Sequence, residues 1–365
     1  MRFDSRSQAR PLLRSARALD MTHPWARLTG RRARRGGERV EGGFWTRWAR
    51  EMAPADWVVL AYNVLLFGLA LQGSGPDWLT CVGRTALSAG LVTLVFVGYR
   101  SGSWGAGFWP GLAYRLALYG SLQLSYFTLR YLLPTATSAR RDEQLYRLDV
   151  ALFGVEPTVW LDRFVTPATT EWFAFFYFSY FLVLAAHVVP LLFFSRRGRL
   201  VAEFALGLLG VYCSSQAVYF LVPGYGPLHH LKDLYQHALP SGFWLDTVLR
   251  AVAAGGAFLD IFPSLHTGGP LFVALFSIRH RHLMPFRYTW PIALFFSLNI
   301  IVATLFLRWH YAVDVLAGIA AASGWLWLAA RWTDHEEARR AASPLRTSLW
   351  TSLPSPLRSL GLGRS

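Results

Sequence analysis

His310 and Asp314 stand four residues apart in Arg308-Trp309-His310-Tyr311-Ala312-Val313-Asp314, at the mouth of a long hydrophobic run. On a helix that spacing puts both side chains on one face, so the carboxylate can hold one imidazole nitrogen while the other meets a reactant. A histidine held in this way serves as a nucleophile or a base. A second histidine, His266, lies in Phe262-Pro263-Ser264-Leu265-His266-Thr267-Gly268, which opens the apolar run before last. Two histidines and a carboxylate at the ends of apolar helices point to phosphoryl transfer. That chemistry needs a nucleophile held in line with phosphorus and a proton for the departing oxygen.

The elements that position these residues are membrane helices. The 365 residues are 53% hydrophobic and 16% aromatic, with 16 Trp and a mean hydropathy of +0.30, too apolar for an ordinary soluble domain. Apolar stretches of spanning length fall at about 57–73, 82–99, 111–133, 171–194, 200–222, 264–280, 288–307 and 311–331. The fold expected is therefore all-α, a polytopic membrane helix bundle of about eight spans. The sixth carries Gly268, Gly269 and Pro270 near its start, which a membrane helix tolerates where neighbours re-satisfy the freed backbone.

A net charge of +15 raises nucleic acid as a partner, but the arginines are distributed by loop, which is a signature of topology and argues against nucleic acid. Residues 1–54 hold 13 Arg against 5 acidic residues, and the loops with Arg196, Arg197 and Arg199 and with Arg279, Arg281 and Arg287 are basic as well. By contrast, 134–170 has 4 basic and 5 acidic residues, and 222–263 sets Lys232 and Arg250 against Asp233, Asp246 and Asp260. Basic loops face the cytoplasm. Eight spans then put both termini in the cytoplasm and His266 and His310 together on the outer, periplasmic or lumenal, side.

The expected organisation is a basic tail over 1–54, two additional spans over 55–110, a six-span core over 111–331 and a second basic tail over 332–365. Both tails read as disordered, and Met21 is a second candidate start. The stretch Phe44-Trp45-Thr46-Arg47-Trp48 reads as an interfacial helix leading into the first span. With only Cys81 and Cys213, no disulfide framework or cysteine metal site is available. Trp and Tyr are assigned mainly to interfacial belts and lipid-facing bulk.

The motifs resemble the type 2 phosphatidic acid phosphatase superfamily, in its inositol phosphorylceramide synthase-like branch. Pro263 to His266 matches a Pro-Ser-x-His element, and His310 to Asp314 a His-x-x-x-Asp element. Ser264 to Gly268, His310-Tyr311 with Asp314 and Gly318, Asp149 with Leu152-Phe153-Gly154 and Pro157, and Pro223 with Gly226-Pro227 resemble the narrower branch. Together they span about 145 to 331. The phosphatase elements Lys-x6-Arg-Pro and Ser-Arg are absent; Ala303 and Thr304 stand where the second would be.

The resemblance implies metal-free chemistry without a cofactor. His310 attacks phosphorus to form a phosphohistidine, Asp314 fixes its tautomer, and His266 protonates the departing alkoxide and then deprotonates the acceptor. The implied partners are a membrane lipid phosphoester and an alcohol or water acceptor. Ser264 is a candidate N-cap whose following amides bind phosphate. Arg308 is the first candidate to neutralise the phosphate, followed by Lys232, Arg250 and Arg163. His229 and His230 lack a recognised metal-ligand spacing. His187 reads as a packing hydrogen bonder, while His280 and His282 fall on the inner side. The main alternatives are a lipid phosphate phosphatase and, from another class, a non-enzymatic transporter.

Overall fold

The structure, a computed structural model, describes residues 43–105, 107–195, 197–343 and 345. The readings of the first tail up to residue 42, Met21 included, and of nearly all the chain after 343 lie outside these residues. Among the described residues there are thirteen α-helices and no strand. They are α1 (Phe44–Glu51), α2 (Pro54–Gln72), α3 (Trp78–Ser101), α4 (Phe108–Ala136), α5 (Asp142–Phe153), α6 (Pro157–Leu161), α7 (Pro167–Val189), α8 (Gly198–Val218), α9 (Pro227–His230), α10 (Phe243–Gly255), α11 (Leu265–Arg279), α12 (Phe286–Phe306) and α13 (Ala312–Ala342). The protein is an all-α integral membrane bundle.

The eight apolar stretches correspond to α2, α3, α4, α7, α8, α11, α12 and α13, but only six of these helices are long and apolar enough to cross a membrane. The two that fall short are α4, which carries Arg115, Gln123 and Arg130, and α11, which has 15 residues. A second difference concerns the end of the last span, expected at 331. Helix α13 continues to Ala342. Glu336 pairs with Arg339 and Arg340, and Arg340 reaches Glu51 of α1, so the extra turns are tied to the body of the protein.

In the N-terminal helices, Arg100 of α3 and Asp56 of α2 form a fully buried ion pair at 2.5 Å, and Tyr114 of α4 bonds both. A buried pair of this kind fixes which helices adjoin more than it stabilises them. Helix α2 also meets α8 through Tyr62 and Gln216. The remaining long helices surround α11, which packs on α7, α8, α12 and α13. His266 is in the first turn of α11, and α12 returns the chain to the same end before His310. The basic residues Arg279 and Arg287 therefore lie at the opposite ends of these helices from the histidines. There the buried Glu203 accepts from Arg199 and Arg279.

Candidate active site

Five carboxylates, from α5, from the residues flanking α6 and from the start of α7, bind main-chain amides or an arginine around the histidines. Asp149 of α5 accepts from the amides of Ala312 and Val313, and Asp142, two turns earlier, accepts from those of Tyr225 and Gly226. Glu156 caps α6 through Val159, and Glu171 of α7 caps α10 through Trp244 and Leu245. Asp162 accepts from the amides of Gln236 and His237 and from Arg308 at 2.6 Å. Each satisfies loop or helix-end donors that would otherwise be orphaned. The segments 134–170 and 222–263 are thereby bound to the turn that carries His310.

Two glycines bring the site's backbones together. A β-carbon on Gly318 of α13 would sit 2.6 Å from the Ser264 carbonyl oxygen. One on Gly226, whose φ is +84°, would sit 2.6 Å from the Trp309 carbonyl oxygen. The Ser264 amide donates to the Asp314 carbonyl at 3.0 Å, so the start of α11 is joined directly to the first turn of α13.

On this frame the rings of His266 and His310 have their centroids 6.1 Å apart. His310 Nδ1 lies 3.4 Å from Asp314 Oδ2, which also accepts from the Tyr311 amide at 2.9 Å. The other carboxylate oxygen, Oδ1, is buried without a hydrogen-bond partner among the described residues. A carboxylate so incompletely satisfied favours positive charge on the adjacent imidazole. Burial pushes the pKa of His310 down to about 4, against the pull of Asp260 and of the Ile261 carbonyl. Its ring is thus neutral, with a free lone pair, at pH 7. His266 stacks on Tyr177 with centroids 4.4 Å apart and meets Tyr180 at 4.5 Å.

Both histidines line a cavity of about 380 Å³. From Tyr177 it follows α7 to Val189, about 18 Å of helix at 1.5 Å per residue, past Leu184, Ala185 and Val188. Tyr119, Tyr126, Tyr177, Tyr180, Tyr212, Tyr219 and Tyr225 line it too, so these tyrosines are not the interfacial belt the composition suggests. Their spacings, seven apart on α4 and from Tyr212 to Tyr219, and three apart on α7, put each pair on one helix face.

The family described as the PAP2 superfamily matches residues 143–328, which begin at α5 and contain Pro263 to His266 and His310 to Asp314. The chain belongs to the PAP2 superfamily. Membership supports a lipid phosphatase or phosphotransferase type of function, with membrane lipid phosphoesters as substrates. No curated protein and no solved structure matches the chain.

Apart from His229, the other candidate residues are placed elsewhere than the cavity wall. Ser264 caps α11, its Oγ accepting from the Thr267 amide at 3.2 Å. Arg308, buried and with φ +64°, is held by Asp162, by the His237 carbonyl and by the Tyr235 ring. Lys232, Arg250 and Arg163 are exposed. His229 reaches the cavity rim, while His230 lies 3.5 Å from Glu143. Among the described residues no cluster of three or more His, Cys, Asp or Glu could hold a metal ion. His187 bonds the Val183 carbonyl and lies 3.5 Å from the Ser277 hydroxyl.

Asp260 is the residue that the sequence reading missed. It entered only as one acid of a loop, yet it lines the cavity with both histidines and with Tyr126. Its position six residues before His266 was the available signal.

Proposed function

We propose that this protein is an integral membrane lipid phosphotransferase, inositol phosphorylceramide synthase-like in reaction type, working through a phosphohistidine. The reading rests on one observation above all: two imidazoles 6.1 Å apart, one backed by Asp314, at the head of an apolar slot. A phosphoryl group fits between two such rings, and the slot accepts an acyl chain.

In the first step a nitrogen of His310 attacks phosphorus and the bond to the lipid oxygen breaks, with a proton passing from His266 to the departing alkoxide. In the second, His266 takes the proton of an acceptor alcohol, whose oxygen attacks phosphorus as the bond to His310 breaks. Asp314 stabilises the positive charge that the His310 ring carries between the two steps. The basic loops at the far ends of α11 and α12 favour a cytoplasmic position for those ends and an outer one for the site. Water as second acceptor would make the same site a phosphatase; the wall residues drawn from 222–263, among them Tyr225, Val252 and Phe258, favour an alcohol.

The test supplies purified protein with a phospholipid radiolabelled in its headgroup, then adds inositol, glycerol or ceramide. A labelled new phosphodiester, lost in His310→Ala, is expected. Release of phosphate or phosphoalcohol at a rate no acceptor alters would establish the phosphatase, and turnover unchanged in His310→Ala would reject both.

A further inference from the structure

The cavity around His266 and His310 contains a carboxylate and no permanent cation. Asp260 lines it, and among the described residues of its wall there is no Arg or Lys. Two arginines touch rim residues, Arg130 over Phe258 and Arg140 over Tyr225, and each donates to a backbone carbonyl. Arg308 is paired with Asp162 outside the wall. A phosphomonoester dianion brought into this space would be an uncompensated buried charge, further opposed by Asp260. A phosphodiester carries one negative charge, and a zwitterionic one brings its own cation.

The wall fits that cation. A carboxylate beside several tyrosine rings attracts an ammonium group through both its charge and the negative ring faces. Burial raises the Asp260 carboxyl above its usual range, while a backbone hydrogen bond, His310 and Tyr126 pull it back; a bound ammonium acts in the same direction as these.

We propose that the lipid taken by this cavity is a zwitterionic phosphodiester with an ammonium headgroup, its ammonium seated between Asp260 and the tyrosine rings and its phosphate between the two imidazoles. This inference rests on the phosphotransferase reading above and names the donor class.

The experiment offers the full-length protein phosphatidylcholine, phosphatidylethanolamine, phosphatidylglycerol, phosphatidylinositol and phosphatidic acid at equal mole fractions and measures kcat/KM for each. The two ammonium lipids should exceed the three anionic ones by roughly tenfold, the value expected of a desolvated cation site. In Asp260→Asn that ratio should fall to about twofold; Tyr126→Phe, which keeps the ring, should lower it less. Anionic lipids turned over as fast as the ammonium lipids by the unmodified protein would overturn the inference, whatever the variants do. So would an unchanged ratio in Asp260→Asn protein that reaches the membrane. If anionic lipids are preferred and their turnover needs His310, the phosphotransferase reading stands and only the headgroup assignment falls. If no lipid in the panel is turned over in a His310-dependent way, both fall.

Discussion

Asp149 caps the helix that carries Asp314: its two carboxylate oxygens accept from the amides of Ala312 and Val313 at 2.6 and 2.9 Å. The anion also sits where the dipole of α13 favours it. An acid from a loop helix, more than 160 positions away in sequence, therefore sets where the His310 turn ends and the helix begins.

Removing that cap should cost both stability and rate. Asp149→Ala leaves two amides without acceptors, a loss of about 2–3 kcal/mol. Chemical denaturation in detergent should report it, and lipid turnover at saturating substrate should fall about tenfold or more as the His310 turn loosens.

Gly318→Ala tests the junction between α11 and α13. The new methyl would sit 2.6 Å from the Ser264 carbonyl oxygen, so the two backbones must separate by several tenths of an ångström. We expect overpacking to cost about 1–3 kcal/mol and turnover to drop about a hundredfold, with the protein still inserted in the membrane. Full activity in Gly318→Ala would show that the spacing of the two histidines is not set there.

Arg308 should behave as a clamp. Arg308→Ala strands Asp162 in a largely buried position and should destabilise by about 3 kcal/mol, whereas Arg308→Met combined with Asp162→Asn should recover most of that loss. Thermal melts of the single and double variants measure the difference. If the double variant recovers stability but not binding of lipid, Arg308 is contacting phosphate after all.

The neutral His310 ring has a pH signature. Its pKa is about 6.5 in the unfolded chain and about 4 in the folded one. Between these values the unfolded chain holds the extra proton, so stability contributed by the neutral ring is complete above the upper value and falls as the pH drops toward the lower. His310→Gln should flatten this part of the stability profile. In turnover assays the unmodified protein should keep an unprotonated His310 well below pH 6.

The nearness of His310 to Asp314 was legible because it depends on local spacing. His310 and Asp314 are four residues apart across the start of α13, and loop charge alone groups them with His266. Hydropathy located the eight long helices but overstated two of them, since α4 buries polar groups in the bundle and α11 is short. What the sequence could not display were partnerships set by packing. Arg308 reads as a free cation until Asp162, 146 residues earlier, is folded onto it. Asp260 reads as one loop acid among several until Tyr126 and His310 meet it. The tyrosines read as interfacial because their number is visible and their common direction is not.

The shortness of α11 bears on the membrane itself. Fifteen residues rise about 22 Å, less than a hydrocarbon core of about 30 Å. If its basic end is anchored at the inner headgroups, His266 stands below the outer headgroup plane and the lipid phosphate must descend to it. The helices packed around α11 are themselves of spanning length, so the surrounding bilayer keeps its thickness and it is the lipid that moves.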